Sequence, residues 1–375
     1  MIKIRQTGVV DLALVNGSVP HYEEMVKLAE AISAAIVTEY GTFEFIKRLS
    51  NPLFFQSFAC VIGWEWWTSG SGTVVLRALK DALMKENLGI KVVGGKGLAG
   101  RKISQELEIA GEEFNLSTDK IENLKYVSKI SAKVDSSALQ DLSGQIYCHN
   151  VVVDEKGNWS VIQQKMDTKE KIARRYHWLC ELKSFVEEPH SGIIGSKKQN
   201  LVLDLTSKKS ENTRKSIVDL VNDTAPERLQ TYLFTVQRSK EQKRLFEFIR
   251  LTQKIKVVQL PGYLSIPNSF NLKILNRIHQ TKISCFEELL ATKGMGPSTI
   301  RGLSFISDII YGTESSWSDP VKYSFAYGTK SGRPWFVQKD EMKKSAEILK
   351  QAIEESKVGK KEKLNAIKKL RDFLR

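Results

Sequence analysis

Cysteine is scarce in this sequence of 375 residues, and the four present, Cys60, Cys148, Cys180 and Cys285, form no C-x-x-C pair. That spacing argues against a disulfide framework and against a paired-cysteine zinc finger, and four reduced thiols are expected. Long hydrophobic runs are absent too: nothing approaches the roughly 20 apolar residues of a membrane span. The opening MIKIRQTGVVDLALVNG lacks the uninterrupted apolar core of a signal peptide, so a cytoplasmic protein without a membrane partner is expected. Acidic residues are in deficit, 43 against 57 Lys and Arg, which leaves a net charge of +14. A surface of that sign attracts polyanions, and nucleic acid is the leading partner class; a lysine-rich solubilising surface is the alternative.

The length is enough for two or three domains. Residues 1–210 read as an α/β (or α+β) domain with a mixed sheet, the expected catalytic part. Residues 21–49 carry apolar positions at helical spacing. Leu88–Val93 and Val127–Val134 read as short strands, and QIYCHNVVVD and NWSVIQQKM as the arms of a hairpin turning at Glu155–Gly157. KEKIARRYHWLCELKSFVEEPH reads as helix and charged loop, with cations and aromatics interleaved. Residues 213–312 read as all-helical and DNA-binding. Residues 313–375 read as an extension with basic amphipathic helices, holding eight Lys or Arg against two acids from Lys357 to Arg375. Trp64, Trp66 and Trp67 read as core cover, with an aromatic wall for a base as the alternative.

The segment FEELLATKGMGPSTIRGLSFISDII, Phe286 to Ile310, has the pattern of a helix-hairpin-helix. Gly294 and Gly296 allow a sharp turn close to a phosphate, Met295 tucks between the helices, and Pro297 opens the second one. The amides at its start face phosphate oxygens, and Lys293, Ser298, Thr299 and Arg301 add side-chain contacts that grip the backbone without reading sequence.

With that ending, the chain resembles a family of archaeal and some bacterial proteins known only as a domain of unknown function, DUF763. The resemblance is carried by TGVVDLALVNG, the aromatic-glycine block after Cys60, GGKGLAGRK, AKVDSSALQD, the hairpin ending WSVIQQKM, ARRYHW, EPH, IIYG and DPVKYSFAYG. It implies DNA processing, an expectation that rests mainly on the C-terminal motif. The aromatic block departs from the family's pattern: Trp66-Trp67-Thr68 stands where a histidine near the glycines is expected, which weakens a catalytic role there.

Hydrolysis of a phosphodiester by a metal needs carboxylate or amide oxygens holding Mg²⁺ or Mn²⁺ and a group that activates water. Asp135 and Asp141 are the candidate metal ligands and catalytic carboxylates, joined by His149, Gln164 and Lys165 from the hairpin. Because Gln163 and Gln164 alternate faces, only one can accompany Lys165. Asp135 and Asp141 also read as loop caps, and His149 as a satisfied core histidine. A zinc site from Cys148, His177 and Cys180 has no second paired motif to complete it.

Lys96, Arg101 and Lys102 of the loop GGKGLAGRK, with Arg174 and Arg175, are the remaining candidate DNA contacts. That loop overlaps two nucleotide-binding signatures but fails both: Arg101 and Lys102 stand where a Walker A loop needs Lys and Ser or Thr, and no acid sits at the ribose-binding spacing. The expectation is a metal-dependent, structure-specific deoxyribonuclease of DNA repair or recombination, acting on branched or single-stranded DNA. The alternative is a non-catalytic accessory of a repair helicase or nuclease. Repair proteins and a second copy of the chain are the protein partners left open.

Overall fold

The computed structural model describes residues 19, 21–64, 69–85, 87–238, 260–324 and 339–355, with short pieces at 359–360, 363–364 and 366–368. The expectations for the N-terminal leader, Trp66 and Trp67, the helix beyond residue 238, FAYG at 325–328 and most of 357–375 lie outside the described residues.

The helical opening divides in two. Helix α1 (Tyr22–Tyr40) buries Met25, Ala29, Ile32 and Ile36 on one stripe and stops at Gly41, whose φ of +86° suits glycine. After α2 (Thr42–Leu49), α3 (Pro52–Ile62) is capped by Asn51, which accepts from Leu53 N at 2.8 Å; every one of its residues is buried. Helix α4 (Ser71–Lys85) leads to strand β1 (Ile90–Lys96), then α5 (Leu98–Arg101), α6 (Ile103–Glu113) and α7 (Thr118–Lys133). A π-helical turn, Val134–Ala138, continues α7 into β2 (Leu139–Gln140).

The hairpin expected from sequence is β3 (Ile146–Asp154) and β4 (Trp159–Asp167). Asp154 Oδ1 holds its turn by accepting from Lys156 N at 3.0 Å and Asn158 N at 2.8 Å. Next come β5 (Ile172–Leu179), β6 (His190–Gly195) and β7 (Leu203–Asp204). The largely helical C-terminal region holds α8 (Glu211–Asp223), α9 (Pro226–Arg238), α10 (Leu272–Thr281), α11 (Phe286–Ala291), α12 (Pro297–Ile310), the short strand β8 (Tyr323–Ser324) and α13 (Lys339–Glu355).

Six strands form a mixed sheet in the order β1-β3-β4-β5-β6-β8, antiparallel except for the β6–β8 pair; β2 and β7 form a separate ladder. Helices cover both faces. One face packs on α1–α4 and α13; the other packs on α6, α7 and α8–α12 in one continuous apolar cluster, so no break in the core separates residues before 210 from those after 213. Among the described residues no helix is long and apolar enough to cross a membrane.

Two expected elements are corrected. Val127–Val134 is helix and not strand: Ser117 caps α7, and Ile121, Leu124, Val127, Ile130 and Val134 recur every three or four residues on its buried side. ARRYHW is strand β5 and not helix, with all eight residues of the strand buried. Its cations hid the strand because each has acceptors inside the protein.

Candidate functional site

Alternation along the central strands sends successive polar side chains to opposite faces of the sheet. Gln163, Lys165, Arg174, Tyr176 and Trp178 point toward the π-turn and the carboxylates; Gln164, Arg175 and His177 point toward α2–α4. Gln164 therefore leaves the expected cluster. It donates to Ser69 O and to the Tyr147 hydroxyl, and Gln163 takes its place beside Asp135.

The π-turn carries Asp135 and the end of β2 leads into Asp141, and both carboxylates are fully buried. Asp141 accepts from Lys165 Nζ at 2.8 Å, Arg174 Nη1 at 3.2 Å and the Tyr176 hydroxyl at 2.7 Å. Burial pushes its carboxyl up, but Lys165 and Arg174 outweigh that and hold it below the usual carboxylate range. Arg174 also pairs with Asp319 at 2.6 Å, a partner 145 residues away. Asp135 accepts from Gln163 Nε2 and from Trp178 Nε1 at 3.0 Å, and its other oxygen meets His190 Nε2 at 2.5 Å.

A divalent cation needs open oxygens. Here the two carboxylates are occupied by protein donors, Asp141 by two cations, and among the described residues no group of three His, Cys, Asp or Glu could hold a metal. The expected Asp135–Asp141 pair does not fit such an ion. Zinc at Cys148, His177 and Cys180 fails as well. Both ring nitrogens of His177 are engaged, by Leu49 O at 3.0 Å and Arg175 Nε at 2.9 Å, and burial pushes the Cys148 thiol up to about 11.

From Asp135 the hydrogen-bond chain runs outward. Gln163 gives its NH₂ to the carboxylate, so its carbonyl faces His149 Nδ1 at 2.7 Å. A carbonyl only accepts, so Nδ1 carries the proton and Nε2 presents its lone pair to the Ser128 hydroxyl, 2.8 Å away. Burial holds His149 below the usual histidine range, hence neutral at pH 7. Ser128 and Asp135 lie seven residues apart on the same side of α7 and its π-turn, and β3 and β4 carry the link between them.

Ser128, itself buried, and the partly buried His149 line a groove of about 760 Å³. Its walls include Lys129 and Lys133 of α7, Gly100 of the glycine loop and Ser104 just after it, and Gly296 and Pro297 where α11 turns into α12. Lys133 lies close to Lys129 and has no carboxylate partner among the described residues; burial and that neighbour lower its pKa, and its Nζ donates to Met295 O. Among the other expected DNA contacts, Lys293, Ser298, Lys96, Arg101 and Lys102 are exposed and Thr299 is half-buried. Arg301 is tied to Ser265 O and Gln140 Oε1, each at 2.6 Å.

Arg174 and Arg175 depart from the expected DNA-facing patch: both are fully buried, and Arg175 is spent on Gln56, Ser71 and His177. In the turn, Gly294 has φ +92° and a Cβ there would meet Ile274 at 2.5 Å, whereas a Cβ on Gly296 would meet nothing within 4 Å. Met295 is buried between the helices. The glycine loop serves close packing in part, since a Cβ on Gly94 would lie 2.3 Å from His149 O. Its other side, with Lys96, Trp64 and Arg77, lines a second cleft of about 630 Å³.

A family model described as "Protein of unknown function (DUF763)" matches residues 8–337. The chain belongs to that family. No curated protein and no solved structure matches it. Every strand of the main sheet, both buried carboxylates, and the Ser128–His149 groove of this DUF763 protein fall within the matched span.

Two residues of the site, Ser128 and Asp319, have no signal in the sequence. Gln163 is one of the two amides that alternation allows beside Lys165, and His190 belongs to the block EPH, but nothing local links either to Asp135.

Proposed function

We propose that this protein binds the sugar-phosphate backbone of DNA in the groove between α7 and the α11–α12 turn and processes it there, with His149 as the base at the groove floor. One observation supports this most: Lys129, Lys133, the turn Gly296–Pro297 and the Ser128–His149 pair line the same cavity. Two neighbouring cations that have no carboxylate partner among the described residues suit a phosphate, and the first amides of α12 point where helix dipoles favour anions. In this reading α11 and α12 act as a helix-hairpin-helix that positions the duplex without reading its sequence. A neutral histidine oriented by an amide and a buried carboxylate has the arrangement of a general base.

The second reading is a non-catalytic accessory of DNA repair. The saturation of Asp135 and Asp141 by protein donors favours it over a metal-dependent nuclease.

The experiment is a panel of labelled single-stranded, duplex, flap and bubble DNAs, with Mg²⁺, Mn²⁺ or chelator, using the protein and its His149→Gln variant. Salt-sensitive binding with cleavage that survives chelator and is lost in His149→Gln supports the first reading. Binding without cleavage under every condition supports the accessory. Absence of binding to any DNA rejects both.

A further inference from the structure

We propose that Ser128 is a nucleophile that attacks a phosphodiester and is transiently esterified by it; the proposal deepens, and for its natural substrate rests on, the DNA reading of the groove. Three observations carry it. The Ser128 hydroxyl is 2.8 Å from His149 Nε2, and the direction of the Gln163 amide makes that nitrogen the acceptor. The ring is oriented from behind by Gln163 and Asp135, so the order serine, histidine, amide, carboxylate reproduces the roles of a nucleophile, its base and an orienting group. Both reacting residues line the groove, where Lys129 and Lys133 stand beside them and Lys129 supplies positive charge to a pentacovalent phosphorus.

The step balances within these groups. Ser128 Oγ forms a bond to phosphorus while the bond from phosphorus to one deoxyribose oxygen breaks. The hydroxyl proton passes to His149 Nε2 and from there to the departing oxygen. Water then adds to the phosphoserine ester, giving its proton to the same nitrogen, and Oγ leaves and recovers it. No metal or oxidant enters, and the only co-reactant is water.

The test separates this chemistry from DNA binding by using a fluorophosphonate probe, which needs only an activated serine. The full-length protein, free of metal, is incubated with the probe and the modified peptide is mapped. One adduct on Ser128 is expected, absent in Ser128→Ala and formed at least about tenfold more slowly in His149→Gln. Thermal melting of both variants checks that they fold; Ser128→Cys, which preserves a nucleophile, should regain labelling with an iodoacetamide probe faster than Cys148, Cys180 or Cys285.

In a parallel arm, an oligonucleotide bound by the wild type should leave an adduct that survives detergent, and Ser128→Ala should bind the same DNA without forming it. Labelling elsewhere, or labelling of Ser128 that is indifferent to His149, overturns the nucleophile. DNA binding that persists without labelling overturns it too and leaves the DNA reading standing. Labelling without DNA binding removes DNA as the substrate and keeps the serine.

Discussion

Lys133 gives its ammonium to the Met295 carbonyl at 2.6 Å, fastening the helix that carries Ser128 to the turn between α11 and α12. The groove thus has one wall from the sheet-covering helices and one from the C-terminal region, held by a contact 162 residues apart in sequence. Replacing Lys129 and Lys133 by glutamine should reduce the slope of log binding constant against log salt by about 1.8 if each contacts one phosphate. Fluorescence anisotropy at several salt concentrations measures it; an unchanged slope removes these lysines from the DNA contact.

The two turn glycines should part company. Gly294→Ala forces a positive φ and a clash with Ile274, and a loss of roughly 2 kcal/mol or more in urea unfolding is expected. Gly296→Ala faces open space and should fold as the parent does. If DNA presses against this turn, the Gly296→Ala protein binds it more weakly despite full stability. Equal affinity places the backbone elsewhere.

Breaking the buried ion network should be costly. Asp141→Asn leaves Lys165 and Arg174 without their shared carboxylate inside the core, and a loss of about 3–5 kcal/mol is expected from chemical denaturation. Asp135→Asn, which keeps one oxygen for Gln163 or Trp178, should cost less, and should slow probe labelling of Ser128.

Stability should also fall with rising pH in a defined window. Burial raises Asp204 and Asp308 to about 6, above the 3.8 of an unperturbed carboxyl. A folded-state value above the unfolded one means stability that is full below about pH 4 and is lost as pH climbs through about 6. Asp204→Asn keeps an oxygen for Thr206 and removes that loss; its urea midpoint should exceed the parent's at pH 7.5 and not at pH 4. Asp141 runs the other way, its stabilisation fading as acid is added below the normal carboxylate range.

The β3–β4 hairpin is legible because its arms are rich in β-branched and aromatic residues and Glu155–Gly157 supplies a turn, closed in the structure by Asp154. The window VSKISAKV within helix α7 is too short to separate a strand's run of β-branched residues from a helix stripe that begins at Ile121. Strand β5 was hidden by its own arginines, since charge within a strand signals exposure unless the partners, Asp141, Asp319 and Gln56, are already known. The same distance problem hid the site. Asp135 and His190 are 55 residues apart, and they meet where the pairing of β5 with β6 sets His190 beside Trp178, which also donates to Asp135. The glycine turn at 294–296 and its buried Met295 are legible from sequence because that geometry is local.

Arg174 and Arg175 stand side by side in the chain yet sit in separate sets of acceptors on opposite sides of the sheet. A slip of one residue between β4 and β5 would carry each guanidinium to the other's side, away from Asp141 and Asp319 in one case and from Gln56 in the other. Ordinary strands in which both sides are aliphatic tolerate such an error at modest cost. Here the misaligned state strands two charges in an apolar interior. The arginine pair therefore acts as a key that admits one alignment of the central strands, and the positions of Gln163 and His149 beneath Ser128 are inherited from it.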